Sequence, residues 1–265
     1  MPKLAPSDPE KVMVIRKICD NIVTCSLPFS RLGIFKFGGR ATLVRLQTGS
    51  IAVFSPVALT HSVREAVDSL GGNVKYLIAP DMEHHLFLND WTKAYPEAEI
   101  IAPEGLWEKR QSKPETSGPK FEYIFTPENK DTLHISDEFI AEFDIEYIHA
   151  HVNREIVVLH KPSGTLIQAD LFFNPPGNEQ YQKSKEGARD GFANKLYLFL
   201  MSSKGNAMSQ QRMIWYLMSS KDHRAFKKSI QRVDRWEFDR AIPCHGDTVD
   251  QGAKCMFRTL FQWFL

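Results

Sequence analysis

Two hydrophobic periods alternate along this chain, and the switches between them mark its elements. Residues 12–29, VMVIRKICDNIVTCSLPF, form two β-rich runs around Asp20 and Asn21, which is a hairpin signal. ATLVRL and SIAVFSP make a second strand pair across the turn QTG at 47–49. In THSVREAVDSLGG the period changes: Val63, Ala66, Val67 and Leu70 recur at helical spacing, Thr60 stands as N-cap, and Gly71-Gly72 closes the run. VKYLIAP then predicts a strand, HHLFLNDWTKAYP a helix and AEIIAP a strand. Residues 40–103 therefore read strand, strand, helix, strand, helix, strand, an alternation that packs helices on a sheet.

KRQSKPETSGPK, 109–120, is polar and proline-containing and predicts an exposed loop. FEYIF, LHISDEFIAEFDIEYIHA, REIVVLH and TLIQADLFF restore β character, the last two across the tight turn KPSG at 161–164. NPPGNEQYQKSKEGARDG, 174–191, is irregular and long enough for a lid or a disordered segment. Residues 192–238 are mostly helical by pattern, with LYLFLM and MIWYLM as apolar centres, and RAIPCHGD precedes a final helix. The expectation is one domain over 1–265 with a helical insertion or lid at about 174–238. No repeat at a solenoid period is visible.

Composition narrows the class. The chain has 265 residues, 43% of them hydrophobic and 25% charged, as ordinary globular domains do. Its 33 basic and 32 acidic residues leave a formal net charge of +1, without a basic block, so nucleic acid is not an expected partner. No apolar run approaches membrane-spanning length, and the N-terminus has no apolar signal region, which predicts a cytoplasmic protein with no membrane span. Cys19, Cys25, Cys244 and Cys255 show no C-x-x-C spacing, so they predict thiols, not a disulfide framework or zinc knuckle.

The candidate chemistry lies at the ends of apolar runs. YLIAP leads to His84 and His85, EYIHA to His151, TLIQA to Asp170, and RAIPC to His245. Taken singly, each has a structural explanation: a capping pair, a buried imidazole, a turn carboxylate, an ordinary turn. Jointly they place imidazoles and a carboxylate where strands release the chain, an arrangement that suits zinc, iron or manganese. Adjacent residues on a regular helix point about 100° apart, so His84 and His85 share one ion only if their turn is irregular.

GGRATLVRL, VFSPVALT, VKYLIAPDMEHHLFLNDW, IIAPEGLWEKR and HKPSGTLIQADL, with PCHGD near the end, resemble the metallo-β-lactamase-like superfamily, and within it the DUF4336-type branch. The resemblance implies an α/β fold, an αββα sandwich of two mixed β-sheets flanked by helices. It also implies a metal site from H-x-H-x-D-H, a lone His, an Asp after a hairpin and a late His. Here that motif is degenerate. Pro80 and Met82 stand at the first two histidines, His84 at the Asp, and His85 at the last His, while VFSPVA replaces an Asp-x-Gly turn.

With that match the expected metal ligands are His84, His85, His151, Asp170 and His245. They imply one divalent ion, zinc first, with iron or manganese as alternatives. The expected function is hydrolysis of a small ester, lactone, thioester or amide by metal-activated water. Asp81 and Glu83 are the expected catalytic carboxylates, and Glu155 is a further candidate for proton transfer. Two alternatives stand beside it: a mononuclear iron oxidoreductase, and a non-catalytic binding protein on a degenerate fold. The expected partner is a small-molecule substrate, with a homodimer a further possibility through the apolar helices.

Overall fold

The computed structural model describes residues 6–265. Its strands are β1 (Val14–Cys19), β2 (Ile22–Leu27), β3 (Ser30–Arg31), β4 (Phe35–Lys36), β5 (Gly39–Arg45), β6 (Ile51–Phe54), β7 (Val74–Ile78), β8 (Glu99–Pro103), β9 (Tyr123–Phe125), β10 (Phe143–Ile148), β11 (Glu155–His160), β12 (Thr165–Gln168) and β13 (Arg240–Pro243). Seven of them form a sheet in the order β1-β2-β5-β6-β7-β8-β9, and four form a second sheet, β10-β11-β12-β13. Both sheets are mixed: β6 to β9 run parallel after antiparallel β1, β2 and β5, and β13 adds parallel to the β10-β11-β12 meander.

Side-chain alternation builds the layers. In the larger sheet Phe54, Tyr76 and Ile78 face the smaller sheet and meet Tyr147, Val158 and Ile167. Their neighbours Val53 and Leu77 face the opposite way, onto the helices that supply Val67, Trp91 and Leu106. Outside the smaller sheet, Val157 and Leu166 pack on Phe226, Ile230 and Phe257. Helix, sheet, sheet and helix thus follow one another, as the resemblance implied, because each strand alternates two apolar faces.

The expected helix after Thr60 spans His61–Ser69, and Thr60 Oγ1 accepts the Val63 amide. One expected β segment is different. Within LHISDEFIAEF the chain forms the helix Asp137–Glu142 before entering β10. Ser136 caps it by accepting the Phe139 amide, and Asp137 and Glu138 sit in the first turn, where the helix dipole favours negative charge. The loop expected over 109–120 likewise begins inside the helix Leu106–Gln111.

That early helix also places Glu138 in a polar node under the larger sheet. Its carboxylate takes hydrogen bonds from Lys75 Nζ (2.6 Å), Tyr76 OH (2.7 Å), Ser50 Oγ (3.1 Å) and Thr48 Oγ1. Burial would raise its pKa, but these donors, Lys75 foremost, hold it at about 2. A depressed carboxylate stabilises the fold above its unfolded pKa and ceases to do so as pH falls through the folded value. Wild-type stability should therefore decline between about pH 4.5 and 2 partly through this group. Glu138→Gln should cost about 1–2 kcal/mol at pH 7, reduced by screening at half-exposed Lys75, and should flatten that limb. Urea midpoints measured across the acid range check both effects.

Candidate metal centre

Four strand ends converge on one rim of the sandwich: β6 runs into Ser55, β7 into Asp81 and His84, β12 into Asp170, and β13 into His245. Parallel strands bring their C-terminal ends to one edge, and side chains distant in sequence meet there. His84 Nε2 lies 3.1 Å from His245 Nε2, and Asp170 Oδ1 lies 3.2 Å from His245 Nε2. Ligand atoms of these three residues all lie within 4.8 Å of one another.

The outer contacts decide what those atoms are. His84 Nδ1 faces the Asp81 carboxylate at 2.9 and 3.0 Å, and His245 Nδ1 faces the Gly38 carbonyl at 2.6 Å. Both Nδ1 atoms therefore carry a proton and donate it, which leaves the two Nε2 lone pairs pointing at each other. Asp170 adds an oxygen. Its Oδ2 accepts from Asn153 Nδ2 at 2.7 Å, while Oδ1 is buried with no hydrogen-bond partner. Three acceptors without a donor repel one another unless a cation lies between them. Donors at about 2.0–2.1 Å from a tetrahedral ion stand about 3.3 Å apart, close to the observed separations.

The electrostatics agree. Burial disfavours charge on His84, yet Asp81 and Asp170 raise its pKa well above the ordinary value. Burial would likewise raise Asp170, but His84, His245 and His151 pull it below the carboxylate range. A positive charge is favoured at this point, whether as a proton on His84 or as a metal ion. The nearby Cys244 thiol is pushed up to about 11 by burial, and its sulfur is not among the three grouped residues.

The remaining expected ligands are not among these three grouped residues. His85 is turned out of the cluster: Arg110 Nη1 reaches its Nδ1 at 3.1 Å and its carbonyl at 2.7 Å. Burial and that guanidinium push its pKa down to about 4. Consecutive side chains diverge in this turn, so one imidazole reaches the rim and the other packs behind it. His151 is fully buried, and its Nδ1 accepts the Asn153 amide at 3.2 Å. That contact puts the imidazole proton on Nε2, which has no partner, and burial lowers its pKa to about 4. The expected five-ligand set thus resolves into three residues together and two apart.

The carboxylates also separate. Asp81 is fully buried behind His84, accepting the amides of Glu83 and His84 at 2.8 Å as well as the ring proton. Glu83 is at the cavity rim, paired with Arg31 (2.6 Å) and Lys109 (2.9 Å). Glu155 is fully buried and accepts the Ala169 and Asp170 amides at 2.7 and 3.0 Å, holding the Asp170 turn. Burial, with Asp81 and Asp170 nearby, raises its pKa well above the usual range.

Sequence reasoning did not single out three supports. Asn153 fixes Asp170, and the Asn153 carbonyl also accepts the Met82 amide at 3.0 Å. Ser55 holds a left-handed backbone (φ 54°) where the cavity meets β6, a strained conformation for a residue with a Cβ. Arg40 binds the His245 loop through the carbonyls of Pro243 (2.6 Å) and Gly246 (2.8 Å). The segment expected to be a lid or disordered also clamps that loop. Gln180 donates to the Cys244 carbonyl at 2.8 Å and accepts the Gly246 amide at 3.0 Å. Gly246, at φ 90°, is required there, since a Cβ would lie 2.2 Å from the Asn174 carbonyl oxygen.

With this geometry in view, the family profile described as "Domain of unknown function (DUF4336)" matches residues 34–179. The chain belongs to the DUF4336 family. Solved structures show that this DUF4336 protein shares the fold of metallo-β-lactamases. It is similar to a metallo-β-lactamase from Pontibacter korlensis, with 12% identity, TM-score 0.59, and coverage of 94% of this chain and 99% of that one. A metallo-β-lactamase from Erythrobacter litoralis gives 12% identity and TM-score 0.58, covering 94% and 95%. The Flv1 flavodiiron core from Synechocystis gives 15% identity and TM-score 0.57, covering 95% of this chain and 60% of that one. At these identities the likeness establishes the fold. A comparison with curated proteins gives no match. No helix among the described residues is long and apolar enough to cross a membrane.

Proposed function

We propose that this DUF4336 protein is a mononuclear metal-dependent hydrolase of a small ester, lactone, thioester or amide. The observation that supports it is the meeting of His84 Nε2, His245 Nε2 and Asp170 Oδ1, all within 4.8 Å of one another. Two imidazoles and a carboxylate suit zinc and leave positions open for water and substrate, as in catalytic sites. A divalent cation held there would polarise a substrate carbonyl and lower the pKa of water toward neutrality.

The chain's own groups supply the rest. Asp81 and the Gly38 carbonyl hold the two rings in the tautomer that offers Nε2, so both are positioning groups. Asn153 keeps Asp170 Oδ1 turned inward. Glu83 is the carboxylate at the cavity rim, and we assign it proton transfer to the leaving group; its pairs with Arg31 and Lys109 are the contacts a substrate would rearrange. Pro80 lacks a donor side chain and Met82 packs against the core, so the residues that would hold a second ion are missing, which disfavours two-ion phosphodiester chemistry.

The likeness to the Flv1 flavodiiron core favours a second reading, a mononuclear iron oxidoreductase, because the same donor set suits ferrous iron. Zinc- and iron-loaded protein should be compared on a panel of esters, lactones, thioesters and amides while oxygen uptake is followed. The hydrolase reading expects turnover with zinc and no oxygen consumption, and Asp81→Asn should weaken metal binding about 10–100-fold. Oxygen uptake with iron alone would support the second reading. Neither activity, with no stoichiometric ion, would leave a binding protein.

A further inference from the structure

Next to the His84–Asp170–His245 cluster the sandwich opens into a cavity of about 430 Å³ whose walls are mostly apolar. His84, Asp170 and His245 occupy one end. Phe37, Phe173, Tyr197 and Met213 continue the wall, with Phe173 stacked 5.5 Å from the His245 ring and Phe37 4.6 Å from Tyr197. Polar contacts in such a pocket are few and concentrated at the reacting end, which is the layout of a site that orients a ligand by its polar head and buries its apolar body.

The mouth carries the Arg31–Glu83 pair but is apolar elsewhere. Leu86 and Leu217 line the cavity and are about half exposed, so the lining reaches the surface without a polar collar at those points. The helix Phe192–Leu200 supplies Tyr197 to the wall, yet its outer stripe is Phe192 (90% exposed), Leu196 and Phe199 (68% exposed). A surface helix ordinarily turns polar residues outward. This one exposes Phe192, Leu196 and Phe199 with only Lys195 among them, beside a pocket whose wall is mostly apolar.

We propose that the cavity takes an extended apolar chain, the acyl or alkyl tail of an amphiphile whose head group sits at the His84–Asp170–His245 end. A compact polar substrate would leave the Phe and Met wall wetted, and a continuous apolar path to the surface serves only a ligand with apolar length. The proposal rests on the metal-site reading only for the placement of the head group. Burial of the tail uses the wall alone.

Metal-free protein titrated calorimetrically with the n-alkanol series from butanol to dodecanol tests this, because neither ion nor reacting carbonyl is involved. The expected result is affinity that tightens about threefold to fourfold per added methylene until the cavity is full. Leu217→Asp, at a half-exposed position that tolerates polarity, should cut affinity for the longest alkanols at least tenfold and flatten the series. Met213→Asp, with folding checked by its thermal melt, should do the same from deeper in the wall. Affinity that does not depend on chain length, or a slope unchanged in both variants, would overturn the proposal whatever the metal measurements show. A protein that binds no metal yet keeps the slope would end the hydrolase reading and leave this one standing.

Discussion

His245→Ala protein should purify without stoichiometric divalent metal and should bind added zinc at least about 100-fold more weakly than wild type. The imidazole removed is the one atom set that approaches both other members of the cluster, at 3.1 Å from His84 and 3.2 Å from Asp170. Removal of His85 should leave affinity nearly unchanged, because Arg110 holds that ring away from the cluster. The contrast between two histidines, one at position 245 and one adjacent to a ligand, separates a specific site from general imidazole binding. Equilibrium dialysis with metal analysis reads both.

The second large effect is on stability. Arg40 is fully buried and makes four contacts: Ser26 Oγ (3.0 Å), the Pro243 and Gly246 carbonyls, and Glu179 Oε1 (3.2 Å). Arg40→Ala should cost about 3 kcal/mol, since it removes the donor that the Pro243 and Gly246 carbonyls share and one of the three donors of a mostly buried carboxylate. Burial already disfavours charge on Glu179, and Arg40, Ser26 and Arg16 together hold its pKa low. Arg40→Lys should recover only part of the loss, because an ammonium cannot span the same fork. Urea unfolding measures the cost, and zinc affinity should fall with it, because the His245 loop loses its anchor.

Much of the sandwich was legible because its strands alternate two apolar faces and its turns carry Gly, Asn or Pro at the points where the chain reverses. The Asp137–Glu142 helix was not, since Ile135, Phe139 and Phe143 also fit a β reading and only the Ser136 cap marks the helix. At the site, Asp170 and His245 followed from their places behind apolar runs. The choice between His84 and His85 depended on a turn geometry that spacing does not encode, and on Arg110, which lies 25 residues downstream. Asn153, Arg40 and Gln180 were invisible for a related reason. Each is an ordinary polar residue whose importance comes from long-range contacts with the loops that carry Asp170 and His245.

The resemblance brought its own misdirection. Matching DMEHH to the superfamily motif assigned His85 to a ligand position, whereas the backbone turns at Asp81 so that His84 reaches the rim. The turn is organised by Asp81, which accepts two amides and a ring proton in a fully buried position.

The most direct test is anomalous scattering from crystals of zinc-loaded protein, collected on both sides of the zinc edge. One peak is expected, about 2.0–2.2 Å from His84 Nε2, His245 Nε2 and an Asp170 oxygen. Two peaks, no peak, or a single ion held by His85 or His151 would contradict the account.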